Sequence, residues 1–140
     1  MPAIVRLARE GDIPSLEELF FEFSGWELER NAALREAIND LNGELLVAEY
    51  DGELVAFLHQ VFFVDPLHAG VNSDITSLFV KEDYRRRGIA SQLLQKALQS
   101  AKRREVIEIH VTTRKDNKTA IRFYEKIGFK KEGILFETNP

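Results

Sequence analysis

Asp51-Gly52, set between two apolar runs, limits this chain more than any other feature. Both residues tolerate the positive φ that a two-residue hairpin turn demands. The flanking runs, Leu45 to Tyr50 and Leu54 to Val64, are therefore expected to pair antiparallel, and a sheet that contains them is not purely parallel. Other segments carry helical or strand spacing. Ala3 to Leu7 reads as a short strand. Asp12 and Pro14 mark a helix start, Ile13, Leu16, Leu19, Phe20 and Phe23 form its apolar stripe, and Gly25 ends it. Leu34, Ala37, Ile38 and Leu41 predict a second helix, closed by Asn42-Gly43. Pro66 to Asn72 reads as a loop. Asp74 to Val80 reads as a strand whose alternation places Asp74, Thr76, Leu78 and Val80 on one face, with Ile75, Ser77 and Phe79 on the other. A helix with Ala90, Leu93, Leu94, Ala97, Leu98 and Ala101 on one side follows Gly88. Val106 to Thr112 is rich in β-branched residues and predicts a strand. Asp116 or Asn117 caps a last helix carrying Ala120, Phe123, Tyr124 and Ile127, which Gly128 stops. Ile134 to Glu137 predicts a final short strand. The order β-α-α-β-β-β-α-β-α-β implies an α/β (α+β) fold, a mixed sheet flanked by about four helices.

The 140 residues suit one domain spanning 1–140, and 44% hydrophobic residues can build a core. No cysteine is present, which excludes disulfides and thiolate chemistry. His59 and His68 stand apart in sequence without metal-ligand spacing, so no metal is expected. Met1 to Arg9 lacks the apolar centre of a signal peptide. No run approaches the roughly 18 apolar residues of a membrane span. A cytoplasmic protein with no membrane partner is the expectation. A net charge of −4 argues against broad nucleic-acid binding, which needs a basic face.

Arg85-Arg86-Arg87 is the local exception. A strand ends at Val80, a turn carries the three arginines and Gly88, and a helix begins. The first N–H groups of a helix lack internal partners and sit at the positive end of its dipole, which makes an anion site. Gly88 admits close backbone approach, Ala90 keeps the next turn slim, and arginines add forked donors. A pyrophosphate is the natural guest.

Arg85-x-x-Gly88-x-Ala90 resembles the pyrophosphate-binding signature of the GNAT superfamily of acyl-CoA-dependent N-acyltransferases. Asn117-x-x-Ala120-x-x-Phe123-Tyr124-x-x-x-Gly128-Phe129 is similar to the family's second hallmark, in the same order and at a matching distance. The resemblance implies acetyl-CoA as cosubstrate and a primary amine of a small molecule or a peptide as acceptor, joined by direct attack. It implies splayed strands at the cofactor cleft. The backbone of Leu78, Phe79 and Val80 would pair with the pantetheine arm. Arg85, Arg86, Arg87, Gly88, Ile89, Ala90 and Ser91 would surround the pyrophosphate, and Asn117 and Ala120 would meet the arm from the far side. A non-catalytic coenzyme A-binding module of the same fold is the alternative that the resemblance leaves open.

Amine acylation needs a neutral amine and a proton for the departing thiolate. Tyr124 matches the family's usual proton donor. Relatives often carry a glutamate base on the strand before the Arg-Gly turn. This chain has none there, and Asp74 is the substitute expected, with Thr76 beside it. His110, on the neighbouring strand, would contact substrate or accept a proton. The first two helices shape the acceptor pocket in this family. Trp26, outside the periodic stripe, is the residue expected to line it. Only Lys130 to Thr138, then Asn139 and Pro140, follow the Gly-Phe pair, fewer residues than in many relatives. An unpaired sheet edge invites a partner, so a homodimer is expected.

Overall fold

The computed structural model describes residues 2–140, so Met1, where the reading of the N-terminus begins, lies outside the described residues. The chain forms two compact units, Met1–His110 and Val111–Pro140. The first holds β1 (Ile4–Leu7), α1 (Ile13–Ser24), α2 (Asn31–Asn39), β2 (Gly43–Tyr50), β3 (Glu53–Asp65), β4 (Gly70–Val80) and α3 (Ile89–Arg103). β5 (Ile109–Val111) lies at the boundary, and α4 (Lys118–Ile127) belongs to the second unit.

The sheet order is β1-β2-β3-β4-β5. β1–β2, β2–β3 and β3–β4 are antiparallel. Asp51 and Gly52 adopt φ of 55° and 78°, the doubly positive pair of a hairpin turn. On the other side of β4, the Ile107 N–H donates to Val71 O at 2.8 Å and the Ser73 N–H to Glu108 O at 3.0 Å. These bonds advance together along both segments, as in a parallel pairing. The sheet is therefore mixed, as the hairpin and the later crossover helix together required.

Element boundaries follow local signals. Pro14 stands in the first turn of α1, and Gly25, with φ 74°, ends it. Two expectations differ. Gly70, Val71 and Asn72 extend β4 rather than a loop, because Asp65, Val64 and Phe63 offer them antiparallel partners. Ile134 to Glu137 form no strand.

One face of the sheet packs on α1 and α2. Ile13, Leu16, Leu19 and Leu34 from the helices meet Leu45, Val47, Leu54, Phe57 and Phe79 from the strands. Phe57 stacks on Phe20 with centroids 4.0 Å apart, and Phe23 meets Phe57 edge-on at 5.9 Å. Burying each such side chain stabilises the fold by about 1.5–3 kcal/mol. The other face is joined to α3 by a buried polar link. Gln60 Nε2 donates to the Ala97 carbonyl at 3.1 Å, and its Oε1 accepts from Ser73 Oγ at 2.8 Å. Arg6 of β1 grips Asp12, ahead of α1, through two bonds of 2.7 and 2.9 Å.

Candidate active site

β4 carries the geometry that matters. His59 pairs with Ser77 and Gln60 with Ile75, so Thr76 is an extra residue, a β-bulge. The bulge breaks the strict alternation expected through Asp74 to Val80. Asp74, opposite Val61, and Ser77, opposite His59, share a face with Phe79, opposite Phe57. Thr76 joins them, since its Oγ1 lies 2.7 Å from His59 Nδ1. Ile75, Leu78 and Val80 face the other way, opposite Gln60, Leu58 and Ala56. The predicted grouping of Asp74 and Thr76 with Leu78 and Val80 is thus corrected. The extra residue reverses the side-chain sense midway.

Sequence reasoning weighed His59 only as a metal ligand. Burial pushes its imidazole below the usual histidine value, and the charge of Asp40 offsets this in part. It lines an open cleft of about 860 Å³ with Arg35, Glu36, Asp40, Leu41 and Val61. No local pattern marks it. Only its cross-strand partner and the neighbouring bulge do.

Beyond Val80 the chain makes one short 3-10 turn, Glu82–Tyr84, before the arginines. Glu53 holds this turn through Lys81 at 3.1 Å and the Tyr84 hydroxyl at 3.0 Å. Arg85 turns back: its Nε donates to the Val80 carbonyl at 2.9 Å, and its guanidinium lies 5.6 Å from the Phe79 ring centre. Arg87 sits over Tyr50 and Tyr84, at 5.1 and 5.3 Å. Arg86, exposed and with φ 63°, is the arginine of the three that makes no such internal contact among the described residues. Gly88, at φ 77°, is the N-cap of α3, and no side chain caps that helix. The N–H groups of Ile89, Ala90 and Ser91 are consequently its unsatisfied donors. A Cβ added at Gly88 would meet no heavy atom within 4 Å, so the space beside the turn is open. Open space, orphan donors and a helix dipole fit a phosphate group.

His110, in β5, is 54% exposed at its side chain, with Nε2 3.7 Å from Glu108 Oε1. Trp26 lies between α1 and α2, is 67% exposed, and hydrogen-bonds through its backbone to Ser24 and Arg30. The structure brings Asp74 and Thr76 together with His59, and Trp26 stands apart as a solvent-facing ring.

In the second unit, Asn117 caps α4: its Oδ1 accepts from the Ala120 N–H at 3.1 Å. Its amide nitrogen makes no hydrogen bond among the described residues. Tyr124 lies between the Phe123 and Phe129 rings, at 5.3 and 5.6 Å, and burial pushes its hydroxyl up to about 12. Gly128 and Phe129 both donate backbone N–H groups to the Tyr124 carbonyl, which closes the helix.

A family model for the "Acetyltransferase (GNAT) family" matches residues 13–129, most of the chain and both motif blocks. The chain belongs to the GNAT acetyltransferase family. An N-alpha-acetyltransferase of Saccharolobus solfataricus is 42% identical over 62 residues, 44% of this chain and 37% of that protein. One from Sulfurisphaera tokodaii is 30% identical over 114 residues, 71% of this chain and 64% of the relative. This GNAT chain thus spans less than two thirds of the length of these curated relatives. A solved structure, described as a transcriptional regulator from Bacillus halodurans C-125, shares 29% identity at a TM-score of 0.86, with 98% of this chain and 100% of that one covered. The mixed sheet with flanking helices is the GNAT fold. No helix among the described residues is long and apolar enough to cross a membrane.

Proposed function

We propose that this GNAT chain, acting as one N-acetyltransferase domain over residues 1–140, transfers an acetyl group from acetyl-CoA to a primary amine. The observation that carries this reading is the uncapped N-terminus of α3, opened by Gly88 at the end of the arginine turn that follows β4. The pyrophosphate would take the N–H groups of Ile89, Ala90 and Ser91, with Arg86 as the free cation. Arg85 and Arg87 shape the turn rather than reach out from it, given their contacts with Val80, Phe79, Tyr50 and Tyr84. The backbone of Leu78 to Val80 would align the arm, and the Asn117 amide nitrogen would hold it.

The chemistry is direct transfer. The amine nitrogen attacks the thioester carbonyl, the C–N bond forms and the C–S bond breaks. The thiolate takes a proton from the Tyr124 hydroxyl, which burial keeps protonated. Asp74, Thr76, His110 and Trp26 are the acceptor-side candidates. The N-alpha-acetyltransferase relatives support the amino terminus of a peptide as acceptor over a small polyamine. Ile4 and Leu7 stand exposed on the edge strand β1, which supports a homodimer paired along that edge.

Calorimetric titration with acetyl-CoA and with free coenzyme A tests the reading first, followed by a panel of peptide N-termini and small amines. Micromolar binding and acetylation of a peptide terminus are expected. Absence of binding at high micromolar concentration would overturn it.

A further inference from the structure

We propose that His59 is the general base of the transfer, and that Thr76 positions it on the floor of the cleft between α2 and β3. The inference rests on the acetyl-transfer reading and adds to it the residue that receives the amine proton. His59 pairs with Ser77, one residue before the Leu78–Val80 segment assigned to the arm. β3 pairs with one edge of Leu78–Val80, so an arm on the other edge runs about two strand spacings, roughly 10 Å, from the His59 backbone. The 2.7 Å contact with Thr76 Oγ1 leans the imidazole across β4 toward it.

Thr76 Oγ1 lies 2.7 Å from His59 Nδ1 and is the one hydroxyl among the described residues within reach of the ring. The tautomer the proposal requires is the one in which the hydroxyl oxygen accepts from Nδ1–H. Nε2 is left with its lone pair, as a base requires. The bulge at Thr76 makes this possible, because it puts Thr76 and Ser77 on the same side as His59. Leu45 of β2 flanks His59 on the other side. The charged groups around the ring are Arg35, Glu36 and Asp40 along the cleft and Asp74 beyond Ser77. Arg35 is engaged with Glu10 and Asn31. Glu36 and Asp40 are then the carboxylates that face an incoming ammonium group. Burial holds the imidazole neutral, against the smaller opposing pull of Asp40.

In the step proposed, the ammonium form of the acceptor gives one proton to Nε2. The neutral amine attacks the thioester carbonyl, the C–S bond breaks and the thiolate takes the Tyr124 proton; the nitrogen's surplus proton leaves to solvent, which reprotonates Tyr124, and the imidazolium returns its proton to solvent through the open cleft. A base must be deprotonated, so the acid limb of kcat/KM follows His59 and falls below pH 6.5, its ordinary value.

Nitrogen NMR of wild-type protein and pH–rate profiles of His59→Gln, Thr76→Val and Thr76→Ser test this. The expected result is an Nδ1–H tautomer. In His59→Gln, kcat falls roughly 100-fold, the acid limb is lost, and the Kd for acetyl-CoA is unchanged. Thr76→Val lowers kcat and displaces the limb, and Thr76→Ser restores both. A merely structural role for either residue would leave the limb in place. An Nε2–H tautomer, or an acid limb that survives in His59→Gln and disappears in His110→Gln, would overturn the assignment while leaving acetyl transfer intact. Failure of wild-type protein to bind acetyl-CoA would remove both readings together.

Discussion

Gly88→Ala separates the folding role of the Arg-Gly turn from its proposed ligand role. Gly88 has φ 77°, where an alanine costs about 1–2 kcal/mol relative to glycine. Its added Cβ would meet no heavy atom within 4 Å, so no steric cost within the protein adds to this. The expected folding penalty is therefore conformational, and lowers Tm by about 3–6 °C in a chain of this size. The same Cβ projects into the space that a phosphate would occupy above the Ile89–Ser91 N–H groups. Lengthening those contacts would weaken acetyl-CoA binding at least tenfold, about 1.4 kcal/mol. Scanning calorimetry reads the first quantity and isothermal titration below Tm reads the second. A variant with the expected fall in Tm and an unchanged Kd would refute the placement of the pyrophosphate. The turn would then need its glycine for backbone reasons alone.

Three further outcomes are expected. Tyr124→Phe should lower kcat by roughly 100-fold with acetyl-CoA affinity preserved; because burial pushes the hydroxyl up to about 12, the wild-type kcat profile should show no loss of this acid below about pH 11. The Arg6 guanidinium holds the Asp12 carboxyl below its ordinary value of 3.8. The resulting stabilisation is complete above that value and is lost as pH falls through the lower folded one. Asp12→Asn should cost about 2 kcal/mol near neutral pH and flatten the acid limb of urea-denaturation stability below pH 3.8, which equal slopes in both proteins would contradict. Asn117→Ala should destabilise α4 by about 1 kcal/mol through the lost cap, seen as faster amide exchange at Ala120, whereas unchanged exchange would deny the capping role.

Much of this protein was legible in its sequence, because much of it is built from local physics. Asp51-Gly52 specified an antiparallel hairpin, since the required φ values depend on those two residues alone. Pro14, Gly25, Asn117 and Gly128 marked helix ends through the backbone groups they satisfy or release. The start of α3 after Gly88 was legible too, since the glycine before an apolar helical stripe depends on local backbone alone. What lay beyond reach was everything decided across strands. The bulge at Thr76 arises from the pairing of β4 with a strand distant in sequence, and it turned Thr76 and Ser77 onto the face of His59. The unequal contacts of three adjacent arginines depend on Phe79, Tyr50 and Tyr84 arriving beside them. Periodicity could expect a strand at Ile134 to Glu137, but a strand needs a partner's hydrogen bonds, and those residues have no ladder. Sequence determines what each segment can do alone, and cross-strand register determines which side chains meet.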